Sequence, residues 1–184
     1  MNKRFIKYIE IVIFTIILVF FDQFSKLQVI NKLDRVKGKE FINGFLNFRY
    51  VENEGVAFGL FAGKIKIITI FAIVITLIIF LLIHIIENSI ININTNKTSV
   101  NKIKFTRKFT FLQFLLASII AGAIGNIIDR VKYGYVVDFL NFEFIDFPVF
   151  NIADCYVTVS AFILLFTLMF FIKEEELELV KFRK

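Results

Sequence analysis

Two aspartates, Asp138 and Asp154, are the side chains whose setting best suits acid–base chemistry. Asp154 is flanked by Ile152, Ala153 and Cys155, and no basic neighbour in the sequence neutralises its charge. Two carboxylates held close together in a low-dielectric site cannot both ionise easily, so one pKa rises and the pair shares a proton. The ionised carboxylate can then take a proton from water while its partner hydrogen-bonds a carbonyl oxygen. Such a pair hydrolyses a peptide bond without a covalent intermediate.

Further polar residues accompany these aspartates in two pairs. Asn126 and Asp129 are three residues apart, and the same interval separates Asn151 from Asp154. Residues at that spacing project from one face of a helix. Arg130 directly follows Asp129, and a structural ion pair explains these two as well as a functional role does. A charge at a helix centre in a bilayer costs roughly 2.5–3.5 kcal/mol, so it usually has a function or a partner.

The first apolar segment of the chain also carries charged residues. Asp22 lies about fifteen residues into it, hence roughly 20 Å from its start at 1.5 Å per residue, and Lys26 follows one turn later. Lys26 can pair with Asp22 or extend towards the membrane surface. Ser25 and Lys26 could also suggest a serine–lysine dyad. Adjacent helical residues point about 100° apart, which makes this the weaker hypothesis.

Hydropathy predicts the elements that position these residues. The chain has 184 residues, of which 58% are hydrophobic, whereas soluble domains contain roughly 45–50%. About 20 apolar residues cross a bilayer as a helix. We therefore expect one membrane-embedded, mainly α-helical domain over residues 1–184, with four membrane-spanning helices. The predicted spans are residues 8–30, 65–86, 109–128 and 152–172.

The distribution of basic residues predicts the orientation of these spans. Lys3, Arg4 and Lys7 precede the first span, the second loop is basic apart from Glu87, and the third loop is acidic around Asp138. The positive-inside rule then places both termini and the second loop in the cytoplasm. The first and third loops, and the aspartate pair with them, lie outside. Because the basic residues are not interleaved with aromatics along one stripe, we do not expect nucleic-acid binding.

The first outer loop, about residues 31–64, is predicted to contain a small β-sheet on the outer membrane face. Residues 47–51 alternate polar and apolar side chains, which is typical of a strand. Residues 53–55 supply turn chemistry, and residues 56–58 could return as a second strand. In the third span, small residues at four-residue spacing predict close helix packing. These small residues are Ala117, Ala121 and Gly125, with Ser118 and Gly122 beside them.

Five segments, in order along the chain, match motifs of the lipoprotein signal peptidases, which this chain resembles over nearly its whole length. The segments are FDQFSK at 21–26, NEGVAFG at 53–59, AGAIGNIIDR at 121–130, VVDF at 136–139 and FPVFNIAD at 147–154. The resemblance implies four membrane helices with an outer β-cradle, in the bacterial inner membrane. It also implies an aspartic endopeptidase, sensitive to globomycin, that cleaves lipidated prolipoproteins just before the diacylglyceryl-modified cysteine.

The same resemblance assigns roles to individual residues. It implies that Asp138 and Asp154 are the catalytic dyad. A further set is implied to orient the dyad or to lie near the substrate: Asp22, Lys26, Asn53, Asn126, Asp129, Arg130 and Asn151. The implied partners are diacylglyceryl-modified prolipoproteins and membrane lipid, and we expect a monomer. No metal or organic cofactor is implied, and a single cysteine and a single histidine also disfavour a zinc site.

Two other classes of protein stay open on the residues alone. In a small proton-coupled transporter, carboxylates within the membrane would relay ions. In a structural subunit, the ion pairs would merely hold helices together. Transport predicts broken helices and polar groups through the full membrane depth. Here the polar groups stop at one layer, and the single proline, Pro148, lies in a loop.

Overall fold

Four long helices make up most of the chain, because each apolar segment of the sequence continues as uninterrupted helix. The computed structural model describes residues 3–34, 38–55, 63–95 and 101–180. The elements confirm the mainly helical fold with a small sheet. The helices are α1 (Lys3–Lys32), α2 (Ile65–Thr95), α3 (Lys102–Tyr133), α4 (Ile152–Phe170) and the short α5 (Glu174–Leu177). The strands are β1 (Lys39–Ile42), β2 (Leu46–Asn53) and β3 (Val136–Phe142).

Among the described helices, α2, α3 and α4 are long and apolar enough to cross a membrane. Large apolar side chains such as Phe71 on α2 and Phe162 on α4 are exposed on their outer surfaces, as helices that contact lipid require. The fourth predicted span lies in α1, which is 30 residues long, and its crossing of the membrane stays a prediction. Both α2 and α3 extend beyond the predicted spans, since helical hydrogen bonding continues through their polar residues 87–95 and 102–108.

Helix α3 is the central element and packs against α1, α2 and α4. Its first half buries large apolar residues, including Phe105 and Phe109, whose rings stack with centroids 4.1 Å apart. These residues form a hydrophobic core with Ile83 and Ile93 of α2. The main apolar core therefore lies at the end of the bundle where α2 stops and α3 begins.

The second half of α3 is built from small residues that allow close approach to α4. Ala117 and Ala121 are fully buried. A Cβ atom on Gly122 would overlap the backbone carbonyl oxygen of Ala153 and lie 2.7 Å from Cγ2 of Val157. The prediction of close packing by this small-residue stripe is confirmed. Backbone contact at this point brings the start of α4 against the polar end of α3.

The sheet is antiparallel in the order β1–β2–β3. Its third strand comes from the loop between α3 and α4, so the prediction that the sheet lies within the first outer loop is wrong in this respect. Asp138, expected in a connecting loop, lies on β3 opposite Val51 of β2. A local pattern cannot reveal this pairing, because the partner strands are far apart in sequence. The second strand predicted at residues 56–58 lies outside the described residues.

Replacing Gly122 by alanine tests the close approach of α3 and α4. The added methyl group has no space beside the Ala153 carbonyl, so the helices must separate. We expect a loss of about 1–3 kcal/mol in the free energy of unfolding, measured by thermal unfolding in detergent. Val131→Ile adds one carbon to the same helix at a position that is 75% exposed and should leave the transition unchanged. Equal behaviour of the two variants would contradict the packing.

Candidate active site

Helix α3 supplies three of the candidate residues, Asn126, Asp129 and Arg130, from its last turns. The helix stops at Gly134, whose φ of 81° is the left-handed conformation that glycine adopts without strain. The chain then reverses into β3, where the backbone N–H of Val137 donates to Oδ2 of Asp129 at 3.1 Å. The carboxylate of Asp129 thereby ties the start of β3 to α3.

Helix α4 begins with a capping box made by two candidate residues. The Asn151 side-chain oxygen accepts from the Asp154 N–H at 3.0 Å, and Oδ2 of Asp154 accepts from the Asn151 N–H at 3.1 Å. This arrangement satisfies backbone donors that the first turn of a helix leaves unpaired. The positive end of the helix dipole also favours a negative charge here. Local helix chemistry thus fixes the orientation of the Asp154 carboxylate.

The Asp138 carboxylate is buried on β3 and accepts two amide hydrogen bonds. Asn53, the last residue of β2, donates from Nδ2 to Oδ2 of Asp138 at 2.7 Å. Asn151 donates from Nδ2 to Oδ1 at 2.6 Å. The pairing of β2 with β3 therefore brings Asn53 to Asp138, and the start of α4 closes the other side.

Two asparagine amides connect the two carboxylates. Asn151 Nδ2, which donates to Asp138, also donates to Oδ1 of Asn126 at 3.1 Å. Asn126 in turn donates from Nδ2 to Oδ1 of Asp154 at 2.8 Å. Linked hydrogen bonds of this kind restrict every side chain in the series. β3, α4 and α3 thus hold Asp138 and Asp154 at one place.

A buried lysine lies behind this amide bridge. Lys26 Nζ is 2.9 Å from Oδ2 of Asp22 and 2.9 Å from Oδ2 of Asp129. It also donates to Oδ1 of Asn126 at 3.0 Å. Asp22 and Asp129 are 0% and 1% exposed, and Lys26 is 2% exposed. The lysine charge compensates two buried carboxylates and orients the amide that contacts Asp154.

Arg130 lies beside the carboxylates, on the side of the first loop. Its guanidinium NH2 donates to the backbone carbonyl of Gly55 at 3.2 Å. Its Nε is buried and has no hydrogen-bond partner in the described part of the chain. The Arg130 charge is within electrostatic reach of Asp154 and Asp138. It is the cation best placed to meet a group that enters from the first-loop side.

Burial and a neighbouring charge raise the pKa of Asp138 from its ordinary value of 3.8 to about 7. Removal from water is the largest cause, and repulsion from Asp154 is the second. The hydrogen bonds from Asn53 and Asn151 and the Lys26 charge act in the opposite direction, since they stabilise the carboxylate. Asp138 can therefore hold a proton near neutral pH.

The structure brings all the residues predicted for the site into one connected cluster. The predicted Asp22–Lys26 pair is confirmed, and the alternative in which Lys26 extends to the membrane surface is wrong, because the side chain is buried. Ser25 donates from Oγ to the Asp22 carbonyl at 2.6 Å, while the Lys26 amine contacts carboxylates. The residues therefore do not form a serine–lysine dyad. The catalytic and substrate-binding roles of the individual residues stay predictions.

Sequence reasoning missed the part played by Gln23. Its Nε2 lies 3.1 Å from Oδ2 of Asp22, 3.1 Å from the Gly125 carbonyl and 3.0 Å from Oδ1 of Asp129. The remaining oxygen of Asp22 accepts from the backbone N–H of Ala153 at 3.0 Å. Gln23 thus joins α1 to α3, and Asp22 joins α1 to α4. The sequence signals for Gln23 were its position beside Asp22 and its place in the matching segment FDQFSK.

Comparison with known proteins identifies the family to which this site belongs. Residues 14–170 match the family model described as signal peptidase (SPase) II. The chain belongs to the signal peptidase II family. It is 39% identical over 158 residues to a lipoprotein signal peptidase of Caldanaerobacter subterraneus subsp. tengcongensis, covering 83% of this chain and 90% of the relative. It is 36% identical over 170 residues to that of Clostridium tetani, covering 91% and 95%.

Two solved structures of bacterial membrane enzymes share the fold of this signal peptidase II family member. One bacterial membrane enzyme superimposes with a TM-score of 0.62 at 29% identity and covers 95% of this chain and 94% of its own. A second gives a TM-score of 0.64 at 27% identity, with coverages of 89% and 94%. Because the signal peptidase II family is a family of peptidases, the transporter and structural-subunit alternatives are wrong.

Replacing Lys26 by methionine tests the role of the buried cation. The variant keeps the length of the side chain but leaves Asp22 and Asp129 buried together without compensation. We expect a loss of about 3–5 kcal/mol in the free energy of unfolding, as when one partner of a buried ion pair is removed. Thermal unfolding in detergent measures this loss. Lys32→Met, at the exposed end of α1, is the matched control and should unfold at the wild-type temperature. A Lys26→Met variant as stable as this control would show that Lys26 does not compensate the buried carboxylates.

Proposed function

We propose that Asp138 and Asp154 are the catalytic pair of a peptidase that removes signal peptides from lipidated prolipoproteins. The bond cleaved is the one before the diacylglyceryl-modified cysteine. Family membership supports the activity. The observation that carries the residue assignment is the amide bridge from Asp138 through Asn151 and Asn126 to Asp154. This bridge connects a carboxylate of β3 with a carboxylate of α4 through two side-chain amides.

The electrostatics of this pair support an aspartic mechanism. With its pKa raised to about 7, Asp138 can carry the proton that the pair shares. The ionised carboxylate takes a proton from water, whose oxygen bonds to the scissile carbonyl carbon. The protonated carboxyl group donates a hydrogen bond to the carbonyl oxygen. Breaking of the carbon–nitrogen bond then requires a proton on the leaving amine, which the pair returns.

The surrounding elements suggest how the substrate is held. β2 and β3 frame one side of the pair and α4 frames the other, so an extended peptide can lie between the sheet and the start of α4. Arg130, which contacts the Gly55 carbonyl just beyond the end of β2, lies beside that peptide path. The acyl chains of the substrate would extend between the helices into the bilayer. In this scheme Asp22, Asp129 and Lys26 position the pair from behind, since all three are buried.

The proposal includes the arrangement in the membrane. All four long helices cross the bilayer as one domain, with both termini in the cytoplasm and the sheet outside. The carboxylate pair lies towards the ends of α1 and α3 and at the start of α4, next to the sheet. That depth suits a substrate whose lipid anchor holds its cleavage site at the outer membrane surface. The enzyme acts as a monomer, because one chain supplies every residue of the scheme.

Replacing either aspartate of the pair by asparagine should abolish cleavage while the protein stays folded. Asparagine keeps the size of the side chain and removes the ionisable oxygen. The assay follows cleavage of a lipidated prolipoprotein by purified Asp138→Asn and Asp154→Asn variants. We expect the cleavage rate to fall on the order of 10³-fold, as when a general acid or base is removed. The control is Asp146→Asn, which changes an exposed carboxylate between β3 and α4 and should leave the cleavage rate unchanged. Folded dyad variants with wild-type rates would refute the assignment.

The pH dependence of cleavage should report the ionisation of Asp138. As the pH rises through about 7, Asp138 loses its proton and with it the hydrogen bond to the substrate carbonyl, so the rate should fall on the alkaline side. Asn53→Ala removes a hydrogen bond that stabilises the ionised form. The pKa of Asp138 then rises, and the alkaline limb should move to higher pH, with a smaller loss of rate than in the dyad variants.

A control on the same strand separates this effect from damage to the sheet. Asn47 donates from Nδ2 to Oε1 of Glu143 at 2.6 Å and has no bond to Asp138 among the described contacts. Asn47→Ala should therefore leave the alkaline limb in place. Movement of the limb to lower pH in Asn53→Ala, or an equal shift in both variants, would count against Asp138 as the proton carrier.

A further inference from the structure

A basic groove opens at the end of the helical bundle far from the carboxylate pair. It has a volume of about 930 Å³ and lies between the start of α1, the end of α2 and the start of α3. Thr110 is the lining residue furthest along α3, and Asn126 of the site lies about four turns further along the same helix. At 1.5 Å per residue, the groove and the site are roughly 24 Å apart or more. The groove is thus no part of the peptidase site.

The lining of this groove is strongly cationic. Arg4, Lys7, Lys102 and Arg107 all line it, and Glu87 is the one carboxylate in the described lining. Four positive side chains converging from α1 and α3 repel one another unless an anion lies between them. The groove therefore has the charge to hold an anionic group.

In the described part of the chain, Glu10 and Glu87 are the carboxylates close to Lys7 and to the groove. Glu87 is buried, and its Oε2 accepts from Nε2 of Gln113 at 3.1 Å. Lys7 forms a salt bridge with the exposed Glu10 at 3.1 Å. Lys102 donates to the uncharged backbone carbonyl of Asn94 at 3.1 Å. Of the four cations, Lys102 and Arg107 on α3 are the pair best placed to meet an external anion.

Apolar side chains also line the groove. Ile90 and Ile91 of α2 and Ile103 of α3 line it, and Ile103 is 73% exposed. The predicted spans end at residue 86 and begin at residue 109, so the groove begins at the edge of the hydrocarbon. The headgroup layer lies at this depth. An occupant that carries both a phosphate and acyl chains would match this mixed lining, whereas a soluble phosphate would leave Ile103 uncovered.

We propose that this groove binds the headgroup of an anionic phospholipid of the cytoplasmic leaflet. The phosphate contacts Lys102 and Arg107, and the acyl chains cover Ile103. Basic pockets between membrane helices on the cytoplasmic side suit such headgroups. The lipid would hold the ends of α2 and α3, which extend beyond the bilayer, at a fixed depth.

Lipid titration of the delipidated full-length protein, followed by native mass spectrometry, tests the proposal. The probes are phosphatidylglycerol and phosphatidylcholine with identical acyl chains. We expect phosphatidylglycerol to bind on the order of tenfold more tightly, and the double variant Lys102→Gln/Arg107→Gln to lose on the order of tenfold of that affinity. Inorganic phosphate at millimolar concentration should not displace the lipid.

A charge-matched double variant provides the control. Lys104→Gln/Lys173→Gln removes the same charge from exposed residues at the same end of the bundle, and neither residue lines the groove. It should bind phosphatidylglycerol like wild type, and prolipoprotein cleavage should show that both double variants are folded. If the groove variant does not fold, Arg107→Gln alone, at an exposed side chain, is used instead.

Three results would overturn the proposal. Equal losses in both double variants would mean that the basic surface attracts anionic lipid without a defined site. Equal affinity for phosphatidylcholine would remove the role of charge. Displacement by inorganic phosphate alone would assign the groove to a soluble anion.

Discussion

The carboxylates of Asp138 and Asp154 repel one another, and the other residues of the site must hold them together against this repulsion. Like charges in a poorly hydrated place tend to separate, and a site that needs them together must hold each one from several sides. Here the holding groups in contact with the pair are amides: Asn53 and Asn151 on Asp138, and Asn126 on Asp154. An amide donor stabilises a carboxylate without fixing a full positive charge beside it. Asp138 can therefore keep its raised pKa while its position stays defined.

Lys26, the buried lysine of the site, acts on the pair through an intermediate side chain. Lys26 compensates Asp22 and Asp129 and reaches the pair by way of the Asn126 amide. Direct contact between a lysine and Asp138 would lower the pKa of that carboxyl group and remove its ability to carry a proton near neutral pH. The buried ion pairs of Lys26 with Asp22 and Asp129 are therefore kept apart from Asp138, whose carboxyl group must carry a proton.

Local sequence rules were sufficient for much of the architecture. Apolar segments of helical length predicted the helices, and small residues such as Ala121 and Gly122 predicted the close approach of α3 and α4. The spacing of Asn126 and Asp129 predicted that both lie on one face of a helix, and both belong to α3. The same prediction for Asn151 and Asp154 is wrong, because Asn151 has extended backbone and caps α4 instead of belonging to it. Matching motifs then predicted Asp138 as the second carboxylate. Each of these signals lies within a few residues of chain, where periodicity and spacing are directly visible. Helix ends were predicted less well, because α2 and α3 continue through polar residues.

The amino-acid sequence by itself determined the helices, the types of polar residue and the order in which they occur. The tertiary structure alone decided that β3 pairs with β2, that Lys26 is buried between two carboxylates, and that Gln23 joins α1 to α3. Apart from the Lys26–Asp22 pair, which is one helical turn long, these contacts join residues far apart in sequence. Their existence depends on how α1, α3 and α4 pack, and packing is set by the sum of many weak contacts that no single motif records.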